Sequence, residues 1–111
     1  MPGISTKKLS NLNKTEIFHI ISSNKKTLSN FGARRIALFG SFINGSSHKN
    51  SDIDLLVDFN PKMKKYDNFI KMHSFLRKVL GRKVDLVTSD SLSPYFKKNI
   101  LSSAEYVKVG D

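Results

Sequence analysis

Three aspartates and a glycine–serine pair are the residues of this sequence whose types and spacing suit chemistry on phosphates. Gly40 and Ser41 are followed, after ten residues, by Asp52 and Asp54, and Asp85 follows in a later apolar segment. Neighbouring carboxylates repel each other unless a cation lies between them. Magnesium takes oxygen ligands and is commonly held by one or two carboxylates together with substrate phosphates. The pattern therefore indicates a candidate metal site made of the three aspartates.

The glycine–serine pair suits the binding of an anion. Glycine lets backbone amides approach an anion closely. If a helical turn starts at Ser41, its unpaired N–H groups and its hydroxyl favour a phosphate at that point. A glycine–serine pair is a weak signal by itself, so Gly40 and Ser41 are candidate phosphate ligands only in combination with the carboxylates.

Two predicted strands must position these carboxylates. Along the segment 52–59, alternation puts Asp52 and Asp54 on one face and the apolar residues on the other. Aspartate is disfavoured inside strands, so two aspartates on one strand face require an explanation. The alternative to a metal site is that they are simply two exposed strand residues near a turn. If the predicted strand 83–88 lies alongside, Asp85 joins them, and three carboxylates could hold two metal ions roughly 3.5–4 Å apart for in-line displacement at phosphorus. Taken alone, Asp85 could equally be a polar residue of an edge strand.

The remaining elements predict one α/β (α+β) domain over 13–111, after a flexible N-terminal segment over 1–12. Asn13 and Glu16 resemble a helix capping box. Helices are predicted over 14–31, 65–80 and 94–103, and a short helical turn over 41–45. Two more strands are predicted over 34–39 and 105–109. We expect a small mixed β-sheet of about three to four strands, covered mainly on one face by helices.

The composition excludes several classes of site. The 111 residues include no cysteine, which excludes disulfides, thiolate metal sites and cysteine nucleophiles. No apolar run approaches the ~18 residues of a membrane span, and no secretory signal is recognisable. We therefore expect a cytoplasmic protein.

The formal net charge of +10 favours a polyanionic or acidic partner, or else reflects a solvated, lysine-rich surface. The densest basic patch runs from Lys62 to Lys83, with eight basic residues against Asp67 alone. Nucleic acid is a possible ligand of this patch, but no zinc-ligand spacing or recognition-helix pattern accompanies it.

Other polar residues are assigned to surface or packing roles. Asp58 shares the face of Asp54 but lies about 13 Å further along a strand, too far to share the metal ions. His19 and His73, on predicted helices, are assigned to the same roles. His48 and Lys49 lie in the loop before the carboxylates, where each could touch a phosphate but is assigned to the solvated surface.

The combined motifs resemble the signature of the nucleotidyltransferase superfamily that includes DNA polymerase beta. The sequence is most similar to the minimal members, the prokaryotic MNT-domain proteins (MntA-like antitoxins). Their motifs Phe-Gly-Ser, Ser-Asp-Ile-Asp-Leu-Leu-Val and Gly-Arg-Lys-Val-Asp-Leu-Val correspond to 39–41, 51–57 and 81–87 of this chain. The resemblance covers roughly residues 14–109.

This resemblance implies a role for each candidate residue. Gly40 and Ser41 would hold a nucleotide triphosphate, and Asp52 and Asp54 would bind two Mg²⁺ ions. Asp85 would complete the second metal site and help activate the acceptor hydroxyl. The implied reaction is attack on the α-phosphorus of ATP with loss of pyrophosphate.

The resemblance also implies a partner. Larger relatives carry a second domain for the acceptor, whereas minimal members are often antitoxins of small helical HEPN-type ribonuclease toxins, and some adenylylate a tyrosine of the toxin. The alternatives are an inactive antitoxin that neutralises by stoichiometric binding and a basic nucleic-acid-binding module. Members often have Gly-Ser-Arg-x-Arg-Gly, whereas this chain has Phe42 and Asn44 at the two arginine positions. Their loss implies weaker nucleotide binding or a lower rate, unless Lys49 or a partner residue compensates.

Overall fold

A four-stranded mixed sheet in the order β3-β2-β1-β4 forms the centre of the computed structural model, which describes residues 12–47 and 51–110. The strand β1 is antiparallel to both of its neighbours, whereas β2 and β3 are parallel. The strands are β1 (Ala33–Phe39), β2 (Ile53–Phe59), β3 (Val84–Thr88) and β4 (Glu105–Lys108). The predicted small mixed sheet is confirmed.

In the part of the chain that the structure describes, five helices lie between and before the strands. They are α1 (Lys14–Ser23), α2 (Lys25–Asn30), α3 (Ser41–Asn44), α4 (Tyr66–Leu80) and α5 (Pro94–Ser103), and short 3-10 turns occur at Pro61–Met63 and Ser89–Ser91. Within the described ranges, none of these helices has the length and apolar character needed to cross a membrane.

The prediction of one continuous helix over 14–31 is wrong, because the helix is interrupted at Asn24. The Asn24 side-chain amide donates to the carbonyl of Ile20 at 2.7 Å, and the Ser23 hydroxyl donates to that of His19 at 2.8 Å. Short polar side chains that bond to nearby backbone groups compete with the regular helix. The predicted start is confirmed, since Asn13 Oδ1 accepts from the backbone N–H of Glu16 at 2.9 Å.

The hydrophobic core lies on one face of the sheet. It combines alternate residues of β1 and β2 with the apolar sides of α1 and α4, all fully buried: Ile17, Ile21, Ile36, Leu38, Ile53, Leu55, Val57, Met72, Leu76 and Leu80. Because strand side chains alternate, Asp54 and Asp58 of β2 face the opposite side. The packing that anchors β2 therefore also directs its carboxylates away from the core.

The first described residue, Leu12, packs into this core with 7% of its surface exposed. Residues 1–11 lie outside the described part of the chain, so the flexible segment predicted over 1–12 and the domain boundary at residue 13 stay predictions. The loop residues His48 and Lys49 lie outside it as well.

Candidate active site

The parallel pairing of β2 with β3 places Asp54 opposite Asp85 in the strand register. Neighbouring strands lie about 4.8 Å apart, and residues in register project from the same face. Two of the three predicted carboxylates are thus adjacent on the side of the sheet that faces away from the core. Asp85 lies on an edge strand, as the alternative interpretation supposed, and its side chain is exposed.

Asp52 lies immediately before β2 rather than inside it. The backbone N–H of Ile53 donates to the carbonyl of Lys83 at 3.0 Å, which aligns the starts of β2 and β3. The Lys83 ammonium nitrogen lies 3.8 Å from Asp52 Oδ2, and both side chains are well exposed, at 76% and 45%. A cation of the chain itself therefore approaches the outermost carboxylate of the group.

Gly40 ends β1 beside Asp54, since the preceding Phe39 pairs with Asp54 in the sheet. Its backbone angles, φ 75° and ψ −147°, belong to a region that residues other than glycine rarely occupy. A Cβ atom at this position would lie only 2.2 Å from Asp54 Oδ2. The glycine is required both for the turn and for the space that the carboxylate occupies. Ser41 follows as the first residue of α3.

The electrostatics of Asp54 reflect this crowding. Partial burial raises the pKa of its carboxyl group above the ordinary value, and the negative charges of Asp85 and then Asp52 raise it further. All three predicted aspartates are therefore close enough to interact. A group of carboxylates that disfavours its own ionisation is well suited to bind a cation.

The fit of these residues to Mg²⁺ depends on additional ligands. In the part of the chain that the structure describes, no three His, Cys, Asp or Glu side chains converge tightly enough to hold a metal ion by themselves. Magnesium usually keeps several waters and combines one or two carboxylates with substrate phosphates. The oxygen donors of Asp52, Asp54 and Asp85 fit such a shared site, and metal binding by them stays a prediction.

The two positions that lack the usual arginines have structural roles in this chain. Phe42 is 6% exposed and belongs to the hydrophobic core. The side-chain oxygen Oδ1 of Asn44 accepts from the backbone N–H of Ser46 at 3.1 Å and from the Ser46 hydroxyl at 2.6 Å, which closes the turn after α3. Neither side chain replaces the charge of an arginine.

Arg82 is a site residue that the sequence analysis did not single out. Its Nη2 donates to the carbonyl of Ser51 at 2.6 Å, and its guanidinium lies 5.5 Å from the centre of the Phe42 ring. The signal in the sequence was its position three residues before Asp85, inside the motif 81–87. Arg82 also lines an open groove of about 490 Å³, together with Ser74, Arg77, Lys78, Gly81 and Lys83.

The described residues that were assigned to structural roles have contacts of their own or are exposed. Asp58 accepts two hydrogen bonds from Arg35, at 2.6 and 2.9 Å, and the Arg35 guanidinium lies 4.5 Å from the centre of the Tyr106 ring. His73 Nε2 lies 2.7 Å from the carbonyl of Val84, which ties α4 to β3. His19 is exposed.

The basic patch predicted over 62–83 divides between the two ends of α4. Lys64, before the helix, is ion-paired with Asp90 and lines a cavity of about 580 Å³ with residues such as Arg35 and Asp58. Arg77 and Lys78, in the last turn, line the groove beside Arg82. A helix of 15 residues is about 22 Å long, which separates Lys64 from Arg77 and Lys78, and Lys71 lies exposed between them within the helix.

The family that is described as "Nucleotidyltransferase domain" matches residues 20–107, which include the glycine–serine pair and all three aspartates. The chain belongs to the nucleotidyltransferase family. This nucleotidyltransferase is 40% identical, over 95 residues, to a protein of Thermococcus cleftensis named "Protein adenylyltransferase MntA". The alignment covers 83% of this chain and 93% of that relative, so the two proteins have nearly the same extent.

Solved structures resemble this nucleotidyltransferase as well. One, described as a "putative minimal nucleotidyltransferase", has a TM-score of 0.66 and 26% identity, and the match covers 79% of this chain and 93% of the other. A second, a crystal structure of a toxin–antitoxin with AMP-PNP, has a TM-score of 0.60 and 27% identity and covers 86% of this chain and 72% of the other. The chain is an MNT-like member of the family, as the sequence motifs predicted.

Proposed function

We propose that this nucleotidyltransferase is a metal-dependent protein adenylyltransferase. It transfers AMP from ATP to a hydroxyl group, that of a tyrosine, on a HEPN-type ribonuclease toxin, and thereby acts as a cytoplasmic antitoxin. The observation that carries the proposal is the register of Asp54 with Asp85, directly beside the turn at Gly40. The name of the Thermococcus relative and the toxin–antitoxin structure with AMP-PNP support the acceptor class and the nucleotide.

Each residue has a defined part in the proposed reaction. Asp52 and Asp54 would hold Mg²⁺ together with the phosphates of ATP, and the ion would neutralise charge that develops on the phosphoryl oxygens. Gly40 and Ser41 bind the phosphates at the start of α3. The acceptor oxygen attacks the α-phosphorus, the bond to the β-phosphate breaks, and pyrophosphate leaves. The proton of the acceptor hydroxyl passes to the carboxylate of Asp85.

The open position of Asp85 suits an acceptor that belongs to a second protein. Asp85 is exposed, and it lies on the outermost strand of the sheet. A bulky acceptor can therefore reach the carboxylate from the solvent side without any movement of the core. A protein tyrosine meets this requirement.

Transfer of label from α-labelled ATP to the co-encoded partner protein tests the proposal. We expect Mg²⁺-dependent labelling that is lost in Asp52→Ala and Asp54→Ala and retained in Asp58→Asn, a matched carboxylate of β2 that is bound to Arg35. Absence of labelling while the partner is bound would reject the enzymatic function.

Asp85→Asn separates catalysis from stoichiometric neutralisation. The substitution removes the proton acceptor but keeps the size of the side chain, so catalytic neutralisation should be lost while binding of the partner is retained. Full neutralisation by this variant at an equimolar ratio would instead support the binding-only antitoxin.

A further inference from the structure

Arg82 is held in a defined position beside the segment that leads into Asp52. Its bond to the carbonyl of Ser51 fixes it next to Asp52, and the ring of Phe42 supports the guanidinium from the side of α3. Phe42 is itself immobilised in the core. A cation over an aromatic face is stabilised electrostatically. The aromatic residue at an arginine position of the family motif thus supports an arginine that comes from the start of β3.

Lys83 extends the positive charge from Arg82 to the carboxylates. Its ammonium group lies 3.8 Å from Asp52 Oδ2 and remains largely exposed, so it can move toward a ligand at little cost. The same lysine lines the groove whose other charged side chains are Arg77, Lys78 and Arg82. This lining contains four cations and no carboxylate.

The charge of the substrate determines what such a groove can hold. ATP brings a triphosphate to a site that already contains three carboxylates, with Asp54 and Asp85 side by side in the sheet. Mg²⁺ offsets only part of this negative charge. Cations that approach from the side of Asp52 would offset the rest, and Arg and Lys are the side chains that bind phosphates best.

We infer that Arg82 and Lys83 bind the β- and γ-phosphates of ATP and the pyrophosphate that leaves. The inference rests on the proposed function. It adds a source of positive charge in place of the two arginines of the family motif, whose positions are occupied by Phe42 and Asn44. Arg82 is the fixed cation, and Lys83 exchanges Asp52 for the polyphosphate when the nucleotide binds. This role involves neither the α-phosphate nor the adenosine.

Calorimetric titration of the full chain with ATP and, separately, with AMP tests the inference, in the presence of Mg²⁺ and without any partner. We expect Lys83→Gln and Arg82→Gln each to lower the affinity for ATP by about tenfold to a hundredfold, the range for one charge-assisted hydrogen bond. The affinity for AMP should be unchanged. Arg82→Lys should retain more ATP affinity than Arg82→Gln, since it keeps the charge.

Lys98→Gln is the matched control, because Lys98 is an exposed lysine of α5 that does not line the groove. It removes the same charge and should leave both affinities unchanged. Thermal melts check that Arg82→Gln stays folded despite its contacts with Ser51 and Phe42. If that variant unfolds, Lys83→Gln decides the test, because its exposed side chain supports no packing.

The outcomes separate the inference from the proposed function. Equal losses of ATP and AMP affinity, or no loss in Lys83→Gln and Arg82→Gln, would overturn the polyphosphate role while ATP binding and transfer by the unmodified protein persist. If the unmodified protein binds neither nucleotide, the proposed function fails and the inference fails with it.

Discussion

Replacing Gly40 by alanine would place a methyl group where the carboxylate of Asp54 now lies. The added Cβ would be 2.2 Å from Asp54 Oδ2 and 3.1 Å from its Cγ, whereas contacts in ordinary structures begin near 3.4 Å. The carboxylate would have to retreat by about 1 Å, a displacement that can reduce a rate about a hundredfold when the group acts on the reacting atoms. We therefore expect Gly40→Ala to lose about two orders of magnitude in the rate of AMP transfer.

The backbone strain of this variant can be controlled separately. Gly45, at the end of α3, also has a positive φ, of 83°, but in the described ranges no atom beyond its chain neighbours lies within 4 Å of a Cβ added there. Gly40→Ala and Gly45→Ala should each lose about 1–3 kcal/mol of stability, because alanine is strained in these conformations. Only Gly40→Ala combines that strain with displacement of Asp54.

The assay compares transfer to the partner at saturating Mg²⁺ and ATP, at a temperature at which both variants remain folded by circular dichroism. The expected result is a near-normal rate for Gly45→Ala and about a hundredfold lower rate for Gly40→Ala. Equal rates in the two variants would refute the reasoning, since the position of Asp54 over Gly40 would then have no bearing on transfer.

Three further predictions concern stability. Since the pKa of Asp54 is raised, its ionised form opposes folding; Asp54→Asn should raise the melting temperature at pH 7 without Mg²⁺, and this advantage should shrink as the pH falls and disappear well below 3.8, where the carboxyl group is protonated in both the folded and the unfolded state. Asp58→Asn should cost no more than about 1 kcal/mol in urea unfolding, because its partner Arg35 is half exposed; a larger loss would contradict a surface role. Asn13→Ala should cost about 1 kcal/mol in the same measurement, through loss of the cap on the Glu16 N–H, and an unchanged midpoint would show that the cap is dispensable.

The carboxylates of the site could be placed from the sequence because their strands are strongly patterned. Apolar residues alternate with Asp54 and Asp58 at the start and end of β2, and Ile53, Leu55 and Val57 are buried while both aspartates are half-buried; Leu56, on the face of the aspartates, is the exception and is buried too. Asp85 interrupts an apolar segment of β3, which marked it as a third member. The order and the directions of the strands could not be derived in this way, since they depend on pairing between distant segments of the chain.

The surroundings of the glycine–serine pair were harder to predict. A helix of four residues is too short for periodicity to indicate which side chain faces the core, so Phe42 was interpreted only as a lost arginine. Its burial and its contact with Arg82 depend on the alignment of α3 with the start of β3. The break at Asn24 was missed for a related reason, because apolar spacing continues past it and only side-chain hydrogen bonds interrupt the helix.

The parallel pairing of β2 with β3 also has a consequence for the order in which the protein folds. α4 separates the two strands along the chain, so their pairing is non-local and is expected to form late. Like charges in directly opposed positions weaken a strand pair, and Asp54 and Asp85 are so opposed. Formation of this non-local strand pair therefore also brings the negative charges together. Ligands that relieve this charge favour the folded sheet as well as the reaction.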